Sequence, residues 1–378
     1  MVALALPVIA RPAADPEPAA VHLRVLIGGD LLPHRPQLVD PERIGSALSP
    51  LTPLLREADA SMANYETATG DPDMFKAHAR ALAAPPAWAA ALRTAGLSAV
   101  SVANNHACDR GKRGLAATLD ATRAAGLPAV GAGDAPWAPN VIAERSGKRV
   151  CVVAWTTLSN ERASGCASSG RLAFAKADAR GIATAESAIA AAREVCDATI
   201  AVFHGGDEYE MQSARVMTMA TAVAEAGAAA VVIHHPHVVS PMVVATTRDG
   251  RHVPIFASVG NLASNQGETW DPSLPARQGD RHVVYLNGWT RLGMLADLDF
   301  EMAPGGTVRT RFGYRLVWND NDHASDKRNP HPRIESRLLE DEGDAAVVRK
   351  LSRDKSGPTA VFEDKCKIQS SVDRPTCE

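Results

Sequence analysis

The stretch "LSAVSVANNHACDRG", residues 97–111, decides how this chain is read. A largely apolar run, Leu97–Ala103, goes straight into Asn104, Asn105 and His106. Asparagine is a poor strand former and a good turn former. A strand ending this way either meets an ordinary polar loop or delivers side chains to a site, and the flanking sequence has to decide. Before it, "PPAWAAALRTAG" (85–96) reads as a helix stopped by Gly96. After it, "GLAATLDATRAAG" (114–126) reads as a second helix with a terminal glycine.

The alternation continues outward in both directions. "HLRVLIGGD" (22–30), "ADASMANYE" (58–66), "LSAVSVANNH" (97–106), "KRVCVVAWTT" (148–157), "DATIAVFHGG" (197–206), "AAAVVIHHPHVV" (228–239) and "VPIFASVGNLAS" (253–264) read as strands. Alanine-rich helices are expected within 177–196 and over 214–227. Strand and helix in alternation predict an α/β protein with a substantially parallel sheet.

The strand ends carry the chemistry. Asp30 ends the first; Asn64 and Glu66 the second; Asn104, Asn105 and His106 the third. His204 ends "TIAVF", His234, His235 and His237 follow "AAVVI", and Asn261 follows "FASVG". In open α/β sheets, ligands bind outside the carboxyl ends of the strands. Any one of these residues alone reads as a satisfied core or surface group. Together they need partners, either one another or an ion. Imidazole, carboxylate and amide donors without paired thiolates suit a divalent zinc, manganese or iron ion. His235 and His237 alternate by two, which puts them on one face of a strand; on a turn after the strand they can still share an ion. There is no GxSxG elbow for a serine hydrolase, and "IGGD" lacks the nucleotide-binding glycine patterns.

Composition bounds the rest. The chain has 378 residues, 46% hydrophobic, with a formal net charge of −3 and basic residues spread throughout. That excludes a nucleic-acid surface and a polybasic membrane patch. No apolar run outside the N-terminus is long enough to span a bilayer. Residues 1–21 read as a leader, disordered or a remnant signal peptide, and residues 321–378 as a polar C-terminal extension. Between them, 22–320 forms the main domain. Cys151, in "RVCVVAW", reads as a buried thiol. Cys366 and Cys377 are the expected disulfide of an exported protein, and export is slightly favoured over a cytoplasmic location.

The stretches "GGDLLPH", "ANYET", "SVANNHACDRGKRGLAATLDATRAAGLPAVGAG", "HGGDEY", "HHPHVV" and "SVGNL", spread over roughly residues 23–265, resemble the CapA family of capsule and poly-γ-glutamate biosynthesis. That family is similar to calcineurin-like metallophosphatases. The resemblance implies a four-layer α/β/β/α sandwich with a metal centre at its strand ends, holding one or two divalent ions. It implies Asp30, Glu66, Asn105, His204, His235 and His237 as metal ligands, with Glu66 in the place of a bridging acid, and His106 as the acid–base residue. Asn64, Asn104, Asp109, Glu208 and Asn261 are expected to contact substrate or support the ligands. The chain departs from the phosphatase pattern in lacking Asp-x-His after Asp30, in carrying Asn64 and Glu66 where a second aspartate is usual, and in having Gly205 where tryptophan is common.

Two functions follow. One is a metal-dependent hydrolase of a phosphoester or a γ-glutamyl amide. The other is a non-catalytic polymer-binding or scaffold component of a capsule assembly. The expected partners are an anionic polymer or small-molecule substrate and capsule-synthesis membrane proteins, with no nucleic acid.

Overall fold

A computed structural model describes residues 19–34, 37–71, 82–161, 165–271, 279–322 and 332–339, together with 347, 349 and 351. In chain order, the first half is built of β1 (Val21–Leu31), α1 (Pro41–Leu48), α2 (Thr52–Glu57), β2 (Ala60–Tyr65), β3 (Ala68–Thr69), β4 (Ala83–Ala84), α3 (Ala87–Thr94), β5 (Ala99–Ser101), α4 (Gly111–Ala124) and β6 (Ala129–Val130). The second contains β7 (Asn140–Arg145), β8 (Lys148–Thr156), α5 (Ala179–Arg193), β9 (Ala198–His204), α6 (Ala214–Glu225), β10 (Ala230–His234), β11 (Val239–Thr246) and β12 (His252–Val259). The chain then returns through β13 (Asn261–Ala263), β14 (Leu292–Met302), β15 (Val308–Asn321) and β16 (Ile334–Leu338).

These strands form two large sheets. One runs β16-β15-β14-β1-β2-β5-β6, with β13 beside the end of β1, and the other runs β11-β12-β10-β9-β8-β7. The centres of both are parallel: β1, β2, β5 and β6 in the first, β8, β9, β10 and β12 in the second. The period-two alternation of each strand sets the layers. Leu23, Val25 and Ile27 of β1 face Val150 and Val152 of β8 and Ile200 and Val202 of β9 in a core between the sheets. Leu26 and Ala63 point the other way, onto α1 and α3 through Ile44, Leu48, Trp88 and Leu92. Trp155, Phe203 and Ile233 cover the outer face of the second sheet beneath α5 and α6. The result is a four-layer α/β/β/α sandwich, the fold class expected from the sequence.

Gly96 and Gly126 terminate α3 and α4 in the left-handed region, with φ of 109° and 62°, as their helix-end positions demand. The two sheets touch where β12 crosses into β13. Asp30 N donates to Gly260 O at 2.9 Å, and a Cβ on Gly29 would lie 2.1 Å from that same oxygen. Only glycine at position 29 permits this approach.

Three differences from the sequence reading matter. The strand expected over 97–106 ends at Ser101, because β5 pairs with short partners and Asn104 begins a turn. The expected domain edge at 320 is crossed by β15, and β16 extends the sheet further. The strand continues through the polar Asn319 and Asn321 because both are buried and spend their side chains on hydrogen bonds. Cys151 is buried but is no thiol: it is disulfide-bonded to Cys196, and Cys108 to Cys166. Cys366 and Cys377, the leader up to residue 18 and most of the C-terminal extension lie outside the described residues. Among the described residues, no helix is long and apolar enough to cross a membrane.

Candidate metal centre

The centre lies where the carboxyl ends of both sheets meet. Asp30 at the end of β1 stands in register with Asn64 of β2 on one side and Asn261 of β13 on the other. Asn64 Nδ2 donates to Asp30 Oδ1 at 2.7 Å. The second sheet supplies the histidines. His204 closes β9, and His235 and His237 lie on the turn after β10 rather than on the strand, both with positive φ (105° and 59°). Such backbone costs about 1–3 kcal/mol per non-glycine residue and persists where the surroundings enforce it, most often at functional sites. Here the turn is clamped to Asp30, whose Oδ2 accepts from His235 N at 3.2 Å and lies 3.3 Å from His237 Nδ1.

Glu66 sits at the middle of the cluster. It follows β2, is fully buried, and neither carboxylate oxygen has a hydrogen-bond partner. Its Oε1 is 3.6 Å from His204 Nε2, 3.8 Å from His237 Nε2 and 4.0 Å from His106 Nε2. Two donor groups converge with ligand atoms mutually within 4.8 Å: Asp30 with Glu66 and His204, and Glu66 with His235 and His237. Glu66 belongs to both. His204 Nε2 and His235 Nδ1 are 3.0 Å apart, close to the spacing of two imidazole nitrogens bound about 2.1 Å from one ion. A buried carboxylate without partners is costly unless something compensates it. The donor set and the orphaned oxygens therefore fit one or two divalent cations. Asn105 adds to this, since its Oδ1 is likewise buried without a partner.

The electrostatics describe the ion-free protein. Burial, reinforced by Asp30 and Glu208, pushes the Glu66 carboxyl well above the usual range. Burial also opposes ionisation of Asp30, but the His237 hydrogen bond and the histidines around it outweigh that and hold Asp30 far below its ordinary value. Burial lowers His204, with His235 adding to the effect, and takes His235 down to about 3. His237 moves the other way: its bond to Asp30 overcomes desolvation and raises it. His237 Nδ1 also lies 3.0 Å from Asn261 Oδ1. Two acceptors at Nδ1 place the proton there and leave Nε2 facing Glu66 as a lone pair.

The turn after β5 completes the site. Asn104 is buried and ties it down: Nδ2 donates to Asn64 Oδ1 and to Tyr65 O, and Oδ1 accepts from His106 N. His106 Nδ1 donates to Asp109 Oδ2 at 2.7 Å. That fixes the ring and aims Nε2 toward Glu66; 12% of the His106 side chain remains exposed, so it sits at the mouth. Cys108, two residues on, is joined to Cys166 from the loop after β8, tying this turn to the second sheet. Glu208 is exposed on the turn after β9, within electrostatic reach of Glu66 and His237.

Two residues were missed from sequence. His34 folds back within electrostatic reach of His237 and His106; burial, with those two histidines adding to it, takes it down to about 3, and Nδ1 lies 3.3 Å from Ser264 Oγ. The signal was its place four residues after Asp30. Tyr209, with its ring centroid 6.1 Å from His237, follows Glu208 in "DEY". His234 is no member of the site; its Nε2 donates to Gly28 O and braces β10 against β1.

Paired sheets between two helix layers, with carboxylates from one and imidazoles from the other meeting at the strand ends, define a metallophosphatase-like protein. The chain belongs to the bacterial capsule synthesis protein PGA_cap family, whose model matches residues 24–266. It is similar to the PGA biosynthesis protein CapA of Bacillus subtilis (strain 168), 29% identical over 187 residues, covering 47% of this chain and 45% of that protein. It is similar also to the capsule biosynthesis protein CapA of Bacillus anthracis, 29% identical over 194 residues, covering 47% and 43%. In both, the match spans less than half of the relative's length.

Proposed function

We propose that this protein is a metal-dependent hydrolase of a phosphoester or γ-glutamyl amide, working in capsule or poly-γ-glutamate metabolism. The observation that carries the reading is Glu66, buried, unpartnered and common to two ligand groups. Asp30, Glu66, His204, His235 and His237 would hold the ion, with Asn105 Oδ1 as a further donor. A divalent ion there supplies Lewis-acid polarisation of a substrate oxygen and a more acidic water. The remaining work falls to the chain. Asn64 and Asn261 orient Asp30 and His237. His106, held through Nδ1 by Asp109, carries a proton on Nε2, the nitrogen on the side of Glu66, and passes it to the leaving group. The two disulfides support an oxidising compartment and hence export.

The test is metal analysis of purified protein together with turnover of phosphomonoesters, phosphodiesters and poly-γ-glutamate by wild type and His106→Ala. Stoichiometric Mn, Fe or Zn with a fall of about 10²–10⁴ in turnover for the variant is expected. Protein without metal, or unchanged turnover in the variant, overturns the reading. A second reading is a non-catalytic polymer-binding or scaffold component acting with membrane proteins of the assembly. It is favoured by the names of the relatives, which speak of biosynthesis rather than hydrolysis. Metal-loaded protein that binds poly-γ-glutamate and turns over none of these substrates would select it.

A further inference from the structure

The far end of the sandwich holds a second polar feature. A cavity of about 780 Å³ opens there, with Arg193, Thr199, Arg251, His252, Arg309 and Arg311 among its lining residues. It is remote from the metal centre: Thr199 is the second residue of β9 and His204 the last, five residues and about 17 Å away.

The lining is basic, and part of that charge is unspent. Arg251 is occupied, donating to the carbonyls of Ala224 and Ala228 and to Asp249. Arg311 pairs with Glu301. Asp197 is the acid in the lining, and its two oxygens accept from Lys148 Nζ and Arg149 N. Arg193 and Arg309 remain, exposed and with no hydrogen bond or ion pair among the described residues. The Arg193 stem lies over Gly227, where a Cβ would come within 2.1 Å of Arg193 Cδ; the missing side chain lets the arginine pack against the end of α6.

The cavity floor gives an independent sign of a ligand. Thr199 is 2% exposed, and its hydroxyl has no hydrogen-bond partner. A strand interior normally satisfies or excludes such a group. It lines the same cavity as Arg193 and Arg309, whose planar guanidinium forks match oxyanions bidentately. The volume is that of a small-molecule site.

We infer that this cavity binds a multivalent oxyanion, gripped by Arg193 and Arg309 with Thr199 donating from the floor. The shared chemistry is carboxylate or phosphate, and two probes separate them: propane-1,2,3-tricarboxylate and tripolyphosphate. Each is titrated calorimetrically into the full-length protein at about 0.15 M salt, where unspecific surface attraction is largely screened. Wild type binds at least one. The double variant Arg193→Ala/Arg309→Ala weakens that binding at least about tenfold, and Thr199→Val weakens it several-fold, each with an unchanged thermal midpoint. Glu66→Gln at the metal centre leaves it intact. Binding of the tricarboxylate alone assigns the site to carboxylates, and of tripolyphosphate alone to phosphates. Binding of neither, binding indifferent to the double variant, or binding abolished by Glu66→Gln overturns the inference and leaves the reading of the metal centre untouched.

Discussion

Replacing Glu66 by glutamine separates an ion-binding carboxylate from a merely buried one. The substitution keeps the volume and removes the charge common to both ligand groups. For wild type, a metal that binds only the folded state, supplied at 100 times its Kd, adds about 2.7 kcal/mol of stability. At about 2–4 °C per kcal/mol for a domain of this size, the melting temperature rises by about 5–10 °C. In Glu66→Gln a hundredfold loss of affinity leaves the same metal concentration near Kd, where the gain is only about 0.4 kcal/mol and the shift about 1 °C. The metal-free proteins differ in the opposite sense. Because burial and Asp30 raise the Glu66 carboxyl in the folded state, its contribution is complete below the unfolded value and is lost as pH rises through the folded one. Metal-free Glu66→Gln therefore becomes the more stable protein as pH rises through that window. Differential scanning fluorimetry with and without Mn²⁺ or Zn²⁺, across pH, reads both effects. A full metal-induced shift in Glu66→Gln, or a metal-free variant less stable than wild type at alkaline pH, refutes the reasoning.

Three further outcomes are expected. Asp30 raises His237, so below that raised value the ring is doubly protonated and an ion must displace the proton on Nε2 while Nδ1 keeps its own; metal affinity measured by competition titration should fall at least about tenfold per pH unit there, and affinity that is flat with pH contradicts this. Cys108→Ser/Cys166→Ser opens a loop of 58 residues, which is about 4 kcal/mol of denatured-state entropy. Denaturant unfolding should show that loss, and metal affinity should weaken with it because the turn carrying Asn105 and His106 loses its tether. Gly29→Ala drives a methyl against Gly260 O and should lose at least about 1–3 kcal/mol together with metal binding, whereas Gly45→Ala, inside α1 with nothing within 4 Å of the new methyl, should gain about 0.5–1 kcal/mol and leave metal binding unchanged.

The strand ends were legible because their pattern is local: an apolar run stops, and a ligand-type residue follows. Asp30, Asn64, Glu66, Asn104 and His204 stand at or next to the ends of their strands for that reason. The parallel centres of the sheets were legible from the same alternation. Other features depend on partners distant in sequence. Nothing near Asp30 announces that β13 will pack beside it, and nothing near Asn319 announces that its amide will donate to Asn261 O. β14 escaped notice because "LGMLADLDFEM" carries acids inward, where Asp297 is held by Arg24 from β1. The pairing of Cys151 with Cys196 joins the start of β8 to the end of α5, a proximity set by packing rather than spacing.

The division of donors between the sheets sets when the ion can arrive. Asp30 and Glu66 emerge early in synthesis and His235 follows Asp30 by 205 residues, while Gly260 and Asn261 seat against β1 later still. A nascent chain that ends before His204 has carboxylates with no imidazoles to complete them. On the proposed reading metallation is therefore a late event in maturation, drawing on the ion pool of whichever compartment the finished chain folds in.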